Sequence, residues 1–124
     1  MQDFKSMFAE LFELEDAMDK YEWIMEYGDN STGLDDLDKV PKNKVHGCTS
    51  SLWVIKTDNN IMCDADSSIV NGIAHMICDW WNQATATERE LFSLNTLMTS
   101  GLAPLVSMGR QNGISNLLSK LRQL

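Results

Sequence analysis

The stretch LWVIKTDNNIMC, residues 52–63, decides which fold we expect for this chain. Its first six residues are mostly aliphatic, β-branched or aromatic, and such side chains favour a β-strand. The Asp-Asn-Asn run that follows has turn chemistry, and the short apolar segment after it predicts a returning strand. The segment VHG at residues 45–47 is also strand-like. We therefore predict a small antiparallel sheet of two or three strands.

Helical patterns precede the hairpin. Apolar residues from Phe4 to Phe12 recur at the three-and-four spacing that places them on one face of a helix. Asp16 is a suitable N-cap for a second helix, which we expect Gly28 to end. Residues 29–44 are rich in Asp, Asn, Ser and Gly and contain Pro41, so they are predicted to form a loop.

Helical patterns also follow the hairpin. Asp66 or Ser67 is predicted to cap a helix with an apolar stripe between residues 69 and 80. A final helix is expected from about Gln111. Helices on both sides of a central hairpin predict a single α+β domain over residues 1–124, with helices covering one face of the sheet.

A shorter helix is predicted between these two. Thr87 and Glu90 stand three residues apart, which is the spacing of a capping box. We expect the helix that they open to continue through Leu91 and Leu94.

The charge is unevenly distributed along the chain. The formal net charge is −8, and up to Asp38 there are twelve acidic residues against two lysines. An acidic surface repels phosphate, so nucleic acid is not an expected partner, whereas a protein with a basic surface is. No apolar run approaches the roughly 18 residues that cross a bilayer. The first residues lack the pattern of a signal or transit peptide, so we expect a cytoplasmic location and no membrane partner.

The three cysteines lie in different surroundings. Cys48 stands between a glycine and a run of hydroxyl residues, where a loop next to a strand exposes a side chain. Cys63 and Cys78 have apolar neighbours and are expected to be small buried side chains. With no CxxC pair, and with His46 and His75 at no metal-ligand spacing, neither a zinc site nor a thioredoxin-type site is predicted.

Four segments together resemble the SufE family. PKNKVHGCTSSLWV at residues 41–54 is similar to the family signature of an asparagine, then Gly-Cys-x-Ser, then an apolar-Trp-apolar strand. The other three follow in the family's order: ADSSIVNGI at 65–73, SGLAPL at 100–105 and GRQNGI at 109–114. The resemblance extends from about Met18 to the C-terminus and implies the SufE/NifU-like α+β fold.

The resemblance also implies a function. A pyridoxal-phosphate cysteine desulfurase of the SufS or CsdA kind removes sulfur from cysteine and holds it as a persulfide. A SufE protein takes that sulfur onto its own cysteine, accelerates the desulfurase and relays the sulfur to an iron–sulfur scaffold or another acceptor. The family's acceptor cysteine corresponds to Cys48, its aspartate to Asp66 and its arginine to Arg110. No cofactor of the chain's own is expected, and the protein acts with the desulfurase rather than as an independent enzyme.

Supporting roles are predicted for the neighbours of Cys48. The nucleophile in sulfur exchange is the thiolate, which nearby positive charge or amide donors favour. His46 and Cys48 are two residues apart, with Gly47 between them, so in an extended segment their side chains point to the same side. His46 is therefore either a partner of the thiolate or a solvent-facing residue. Arg110 either pairs with Asp66 and locks the loop or acts directly at the thiol or on the partner.

Three other functions remain open. A U-type iron–sulfur scaffold would use several cysteines as cluster ligands, which requires them to converge in space. A non-catalytic adaptor would activate a desulfurase by binding alone. A cysteine hydrolase would need a histidine and an Asn or Asp beside the nucleophile, and the sequence offers only His46 nearby.

Overall fold

A computed structural model of the protein describes residues 3–47 and 50–124. The predicted hairpin is confirmed: strand β1 (Leu52–Thr57) pairs antiparallel with strand β2 (Asn60–Ala65), with Val54 opposite Cys63. Asp58 lies in the two-residue turn with a φ of 53°, a left-handed conformation that Asp tolerates better than most residues.

The described part of the sheet has two strands, so the third strand considered at residues 45–47 does not form there. Lys44 makes an isolated bridge to Trp53, and the Val45 amide donates to the Leu52 carbonyl at 2.8 Å. The chain then turns at Gly47, whose φ is +82°. A left-handed residue departs from the extended geometry of a strand, and the pairing here consists of one bridge.

Three helices precede the hairpin: α1 (Phe4–Met7), α2 (Ala9–Glu13) and α3 (Ala17–Asp29). The single opening helix predicted from periodicity is divided at Phe8, whose ring is buried against Phe4 at 4.9 Å between centroids. Asp16 caps α3 as predicted, because its carboxylate accepts a bond from the Met18 amide at 2.7 Å.

Gly28 does not end α3 as expected. It lies inside the helix where α3 crosses α4 (Ser68–Gln83), and a Cβ on Gly28 would stand 2.8 Å from the Gly72 amide nitrogen. The two glycines therefore allow the helix backbones to approach closely. Helix α4 packs against both α3 and β2, which makes it the central element of the fold.

Three helices follow α4: α5 (Ala86–Leu91), α6 (Leu94–Leu97) and α7 (Met108–Gln123). Shorter turns complete the described structure: 3-10 turns at Asp36–Asp38, Pro41–Asn43 and Ala103–Leu105, and a π turn at Met98–Leu102. No described helix combines the length and apolar character that crossing a membrane requires.

The capping box of α5 is formed by Thr85 and Glu88, so the prediction of Thr87 and Glu90 was wrong. Both pairs have the same spacing. The helix also ends at Leu91, because Phe92 leaves it with extended geometry and stacks on Trp80 at 4.5 Å in the core.

Helix α7 begins about three residues earlier than predicted. Ser107 is its N-cap, and the Ser107 hydroxyl accepts a bond from the Arg110 amide at 3.4 Å. Arg110 therefore lies in the first turn of α7 instead of just before it. This early start gives the arginine a fixed position near the beginning of α4.

Candidate functional site

Cys48 and Thr49 lie outside the described residues, but the structure shows how both sides of this short segment are held. On the C-terminal side, the Ser51 amide donates to Oδ1 of Asp66 at 3.0 Å. The Ser51 carbonyl accepts from the Asp66 amide at 3.1 Å. Asp66 thus binds the loop at two points, just before α4 begins.

Arg110 is bound to the residue next to Asp66. Its guanidinium donates to the Ser67 hydroxyl at 2.9 Å. Among the ion pairs of the described residues, none joins Arg110 to Asp66, so the structure does not show the pairing weighed from the sequence. Ser67 has the backbone geometry of an N-cap, but its side chain makes no capping hydrogen bond. Its hydroxyl instead accepts the hydrogen bond from the Arg110 guanidinium. Hydrogen bonds thus link Ser51 to Asp66, and the adjacent Ser67 to Arg110 in the first turn of α7.

On the N-terminal side, Gly47 has a φ of +82°, a conformation that glycine adopts without the steric cost of a Cβ atom. A Cβ there would also overlap Nδ2 of Asn116 on α7. Asn116 was not a candidate from the sequence, and no local pattern marks it, because only the tertiary fold brings α7 to this turn.

A groove runs along this side of the loop, and we name it the α7 groove. It has a volume of about 450 Å³. One wall is the segment of residues 44–47, and the other is the C-terminal half of α7. The lining residues are Lys44, Val45, His46, Gly47, Asn116, Ser119, Lys120 and Gln123. Within the described ranges, the groove therefore has two lysines and no carboxylate.

His46 is exposed at the rim of this groove. The sequence argument that placed its side chain on the same side as Cys48 assumed an extended backbone. Gly47 is left-handed, so that alternation does not apply. The predicted role of His46 at the thiol stays a prediction, and so do those of Gly47, Asp66 and Arg110.

Cys63 and Cys78 are buried, as expected from their apolar neighbours. A hydrogen bond with the Cys78 thiol, together with burial, raises the pKa of the Cys63 thiol well above its ordinary value. A buried, protonated thiol is a poor nucleophile. Among the residues that the structure describes, no three His, Cys, Asp or Glu side chains are grouped so that they could bind a metal ion.

The same two cysteines line a second cavity, of about 590 Å³, with His75 and Asp79. Asp79 accepts a short hydrogen bond of 2.5 Å from the Tyr27 hydroxyl. Burial lowers the pKa of His75, and its Nε2 atom has no hydrogen-bond partner among the described residues. This cluster lies where α3, α4 and β2 meet.

The comparisons with known proteins agree with the motifs. A family model described as "SufE: Fe-S metabolism associated domain" matches residues 5–124. SufE-like protein 1, chloroplastic/mitochondrial, of Arabidopsis thaliana is 31% identical over 109 residues, which are 84% of this chain and 29% of that protein. An uncharacterized SufE-like protein of Rhizobium etli is 28% identical over 119 residues, 89% of this chain and 80% of that protein. The chain thus spans less than a third of the Arabidopsis relative. Because the family model covers nearly the whole chain, the protein belongs to the SufE family of domains associated with iron–sulfur metabolism.

Proposed function

We propose that this protein accepts sulfur on Cys48 from a pyridoxal-phosphate cysteine desulfurase and relays it to iron–sulfur cluster assembly. The supporting observation is the contrast between its cysteines. Cys63 and Cys78 are buried, whereas the described residues on either side of Cys48 and Thr49 are held in place, Ser51 by its bond to Asp66 and Gly47 in a left-handed turn. A loop held on a rigid scaffold is the usual place for a reactive side chain.

The proposed step is a thiolate exchange. The Cys48 thiolate attacks the outer sulfur of the desulfurase persulfide, so a new sulfur–sulfur bond forms while the old one breaks. The desulfurase cysteine leaves as a thiolate, and the proton lost by Cys48 passes to that thiolate or to solvent. One sulfur atom moves without any net oxidation, so no added oxidant or reductant is needed. The pyridoxal phosphate belongs to the partner, and the step uses no cofactor held by this chain.

The fixed flanks of the loop would favour this encounter. His46 and Gly47 are exposed, so a partner can reach the chain beside Cys48. Because Ser51 and Gly47 are already ordered, less conformational entropy is lost when the loop enters another protein's active site. We place the encounter in the cytoplasm, where thiols stay reduced.

Mass spectrometry tests the proposal directly. The protein is mixed with a cysteine desulfurase and free cysteine, and its intact mass is measured without reductant. We expect the addition of one sulfur atom, which peptide mapping places on Cys48. A label on Cys63 or Cys78, or no label while the desulfurase is active, would contradict the proposal.

A prediction about Asp66 tests how the loop is held. Replacing Asp66 with alanine removes the acceptor of the Ser51 amide, a bond whose net worth is about 0.5–1.5 kcal/mol. Hydrogen exchange at the Ser51 amide should accelerate by about two- to tenfold, because the free energy of local opening falls by that amount. Sulfur transfer should slow with it.

Asp66→Asn is the matched control for this prediction. Its amide oxygen can still accept from Ser51, so exchange at that amide should stay close to the wild-type rate. If the alanine variant leaves the Ser51 amide as protected as before, the contact does not order the loop.

A further inference from the structure

A cavity at the turn end of the hairpin brings basic side chains together, and we name it the arginine cavity. It has a volume of about 710 Å³, and its lining includes Arg89 of α5, Arg122 of α7 and Lys56 of β1. Ser51 precedes the other end of β1, and at about 3.3 Å per residue Leu52 and Lys56 are roughly 13 Å apart. The arginine cavity is therefore not part of the site described above.

Main-chain carbonyl groups hold both arginines in place. The Nε atom of Arg89 donates to the Trp81 carbonyl at 2.8 Å, and the Arg89 guanidinium lies 5.5 Å from the centre of the Trp81 ring. A terminal nitrogen of Arg122 donates to the Phe92 carbonyl. A guanidinium has five N–H donors, so these bonds position each side chain while using only one of its donors.

The positive charge of the two arginines has no carboxylate partner in the part of the chain that the structure describes. Both ion pairs found there belong to Lys39. Glu90 supplies the one carboxylate side chain of the described lining, but it follows Arg89 directly in α5, and consecutive helix residues do not face each other. Lys56 donates to the Leu124 main-chain oxygen at 3.2 Å, so we do not count its charge. Two guanidinium groups thus concentrate positive charge in a chain whose net charge is −8.

The size and the walls of the arginine cavity suit a small ligand. Ligand sites usually have volumes of about 300–1,000 Å³ and mostly apolar walls with a few fixed polar groups. Ile61, Trp81 and Leu121 provide apolar surface here, and the two guanidinium groups provide the fixed polar groups. A planar guanidinium can bind phosphate or carboxylate through two parallel hydrogen bonds. The chemistry of the cavity therefore selects for an anion.

We propose that the arginine cavity binds a small polyanion, a molecule with two or more phosphate or carboxylate groups, through Arg89 and Arg122. The inference does not depend on the sulfur-acceptor function. Phosphate and carboxylate share this mode of recognition, because both present a pair of oxygen atoms to the guanidinium fork. Their relative affinities identify which of the two groups the ligand carries.

The test follows the Nε–H signals of the arginine side chains by ¹H–¹⁵N NMR while pyrophosphate or citrate is added to the full chain at constant ionic strength. We expect the Arg89 and Arg122 signals to shift and to saturate, with a dissociation constant on the order of 1 mM or lower. Tighter binding of pyrophosphate would assign a phosphate ligand, and tighter binding of citrate a carboxylate ligand. The absence of a saturable shift with both probes would overturn the inference.

Four variants test which residues form the site. Arg89→Gln and Arg122→Gln should each weaken binding by about tenfold or more, because charge-assisted hydrogen bonds are lost. Glu90→Gln should strengthen binding by about two- to fivefold, because it removes the carboxylate from the lining and leaves both arginines. Glu22→Gln removes the same charge from an exposed residue of α3 outside the lining and should leave the affinity unchanged.

The two glutamate variants keep the inference testable even if an arginine variant is unstable. A thermal melt of each variant shows whether its fold is intact, and a gain of affinity in Glu90→Gln does not arise from a damaged fold. If Glu22→Gln strengthens binding as much as Glu90→Gln does, the anions respond only to the net charge of the protein. That result would overturn the arginine cavity as a site.

Discussion

Cys48→Ala is expected to lose all sulfur acceptance and to stop accelerating a cysteine desulfurase, while still binding it. The side chain that forms the new sulfur–sulfur bond is gone, and no other thiol of the described structure is exposed to replace it. Binding should persist because the substitution leaves the hydrogen bonds of Ser51 to Asp66 and of Arg110 to Ser67 in place. The measurements are the rate of sulfide release by the desulfurase and the affinity of the complex.

Cys63→Ala and Cys78→Ala are the matched controls. Each removes one buried sulfur atom, so a loss of stability on the order of 1 kcal/mol is expected from the small cavity. Stimulation of the desulfurase should remain near the wild-type level. Strong stimulation by Cys48→Ala would favour the adaptor that acts by binding alone.

The iron–sulfur scaffold makes a different prediction from the acceptor. A scaffold should show a stable, stoichiometric cluster by ultraviolet–visible absorption after reconstitution with iron and sulfide. The burial of Cys63 and Cys78 and the raised pKa of Cys63 disfavour this, since cluster ligands must be thiolates. A stable cluster would overturn the acceptor proposal.

Gly47→Ala is expected to impair both the loop and the transfer reaction. Its φ of +82° costs a residue with a Cβ about 1–3 kcal/mol. The added methyl group would also collide with Asn116, although this contact is with the end of a side chain that can move. We expect a lower melting temperature, by about 2–4 °C or somewhat more for each kcal/mol of lost stability in a chain of this length. The rate of sulfur transfer should fall by a larger fraction than the stability does.

Two further variants separate the causes. Gly47→Ala combined with Asn116→Ala removes the collision but keeps the backbone strain, so only part of the loss should be recovered. Gly109→Ala, on the exposed surface of α7, should be neutral or stabilising because alanine favours a helix. Wild-type stability and transfer in Gly47→Ala would show that the left-handed turn is not required.

Parts of the fold could be predicted from the sequence where contacts between residues that are close along the chain determine the structure. The composition of residues 52–63 predicts the hairpin. Asp16 predicts the start of α3, because its carboxylate accepts a hydrogen bond from the Met18 amide in the first turn of the helix. The cap of α5 could not be chosen in this way. Thr85 and Thr87 both have a glutamate three residues later, and in the structure Thr85 and Glu88 form the box.

The site was less accessible to sequence reasoning. A pair of Asp66 and Arg110 was one of two alternatives for the arginine, but the hydrogen-bond partner of Arg110 is Ser67, one position away, and side-chain hydrogen bonds depend on such single-residue differences. Asn116 belongs to the groove only because α7 packs beside the turn at Gly47. Contacts between distant segments leave no periodic signal.

The buried pair of Cys63 and Cys78 has a consequence for a sulfur carrier. A second reactive thiolate in the same chain would attack the carrier's persulfide, release sulfide and leave an internal disulfide. Here the Cys63 thiol is kept protonated and both cysteines are enclosed by the core. Under the proposed function, neither of these two thiols can discharge the persulfide, and we expect its sulfur to be transferred to a thiolate of another molecule.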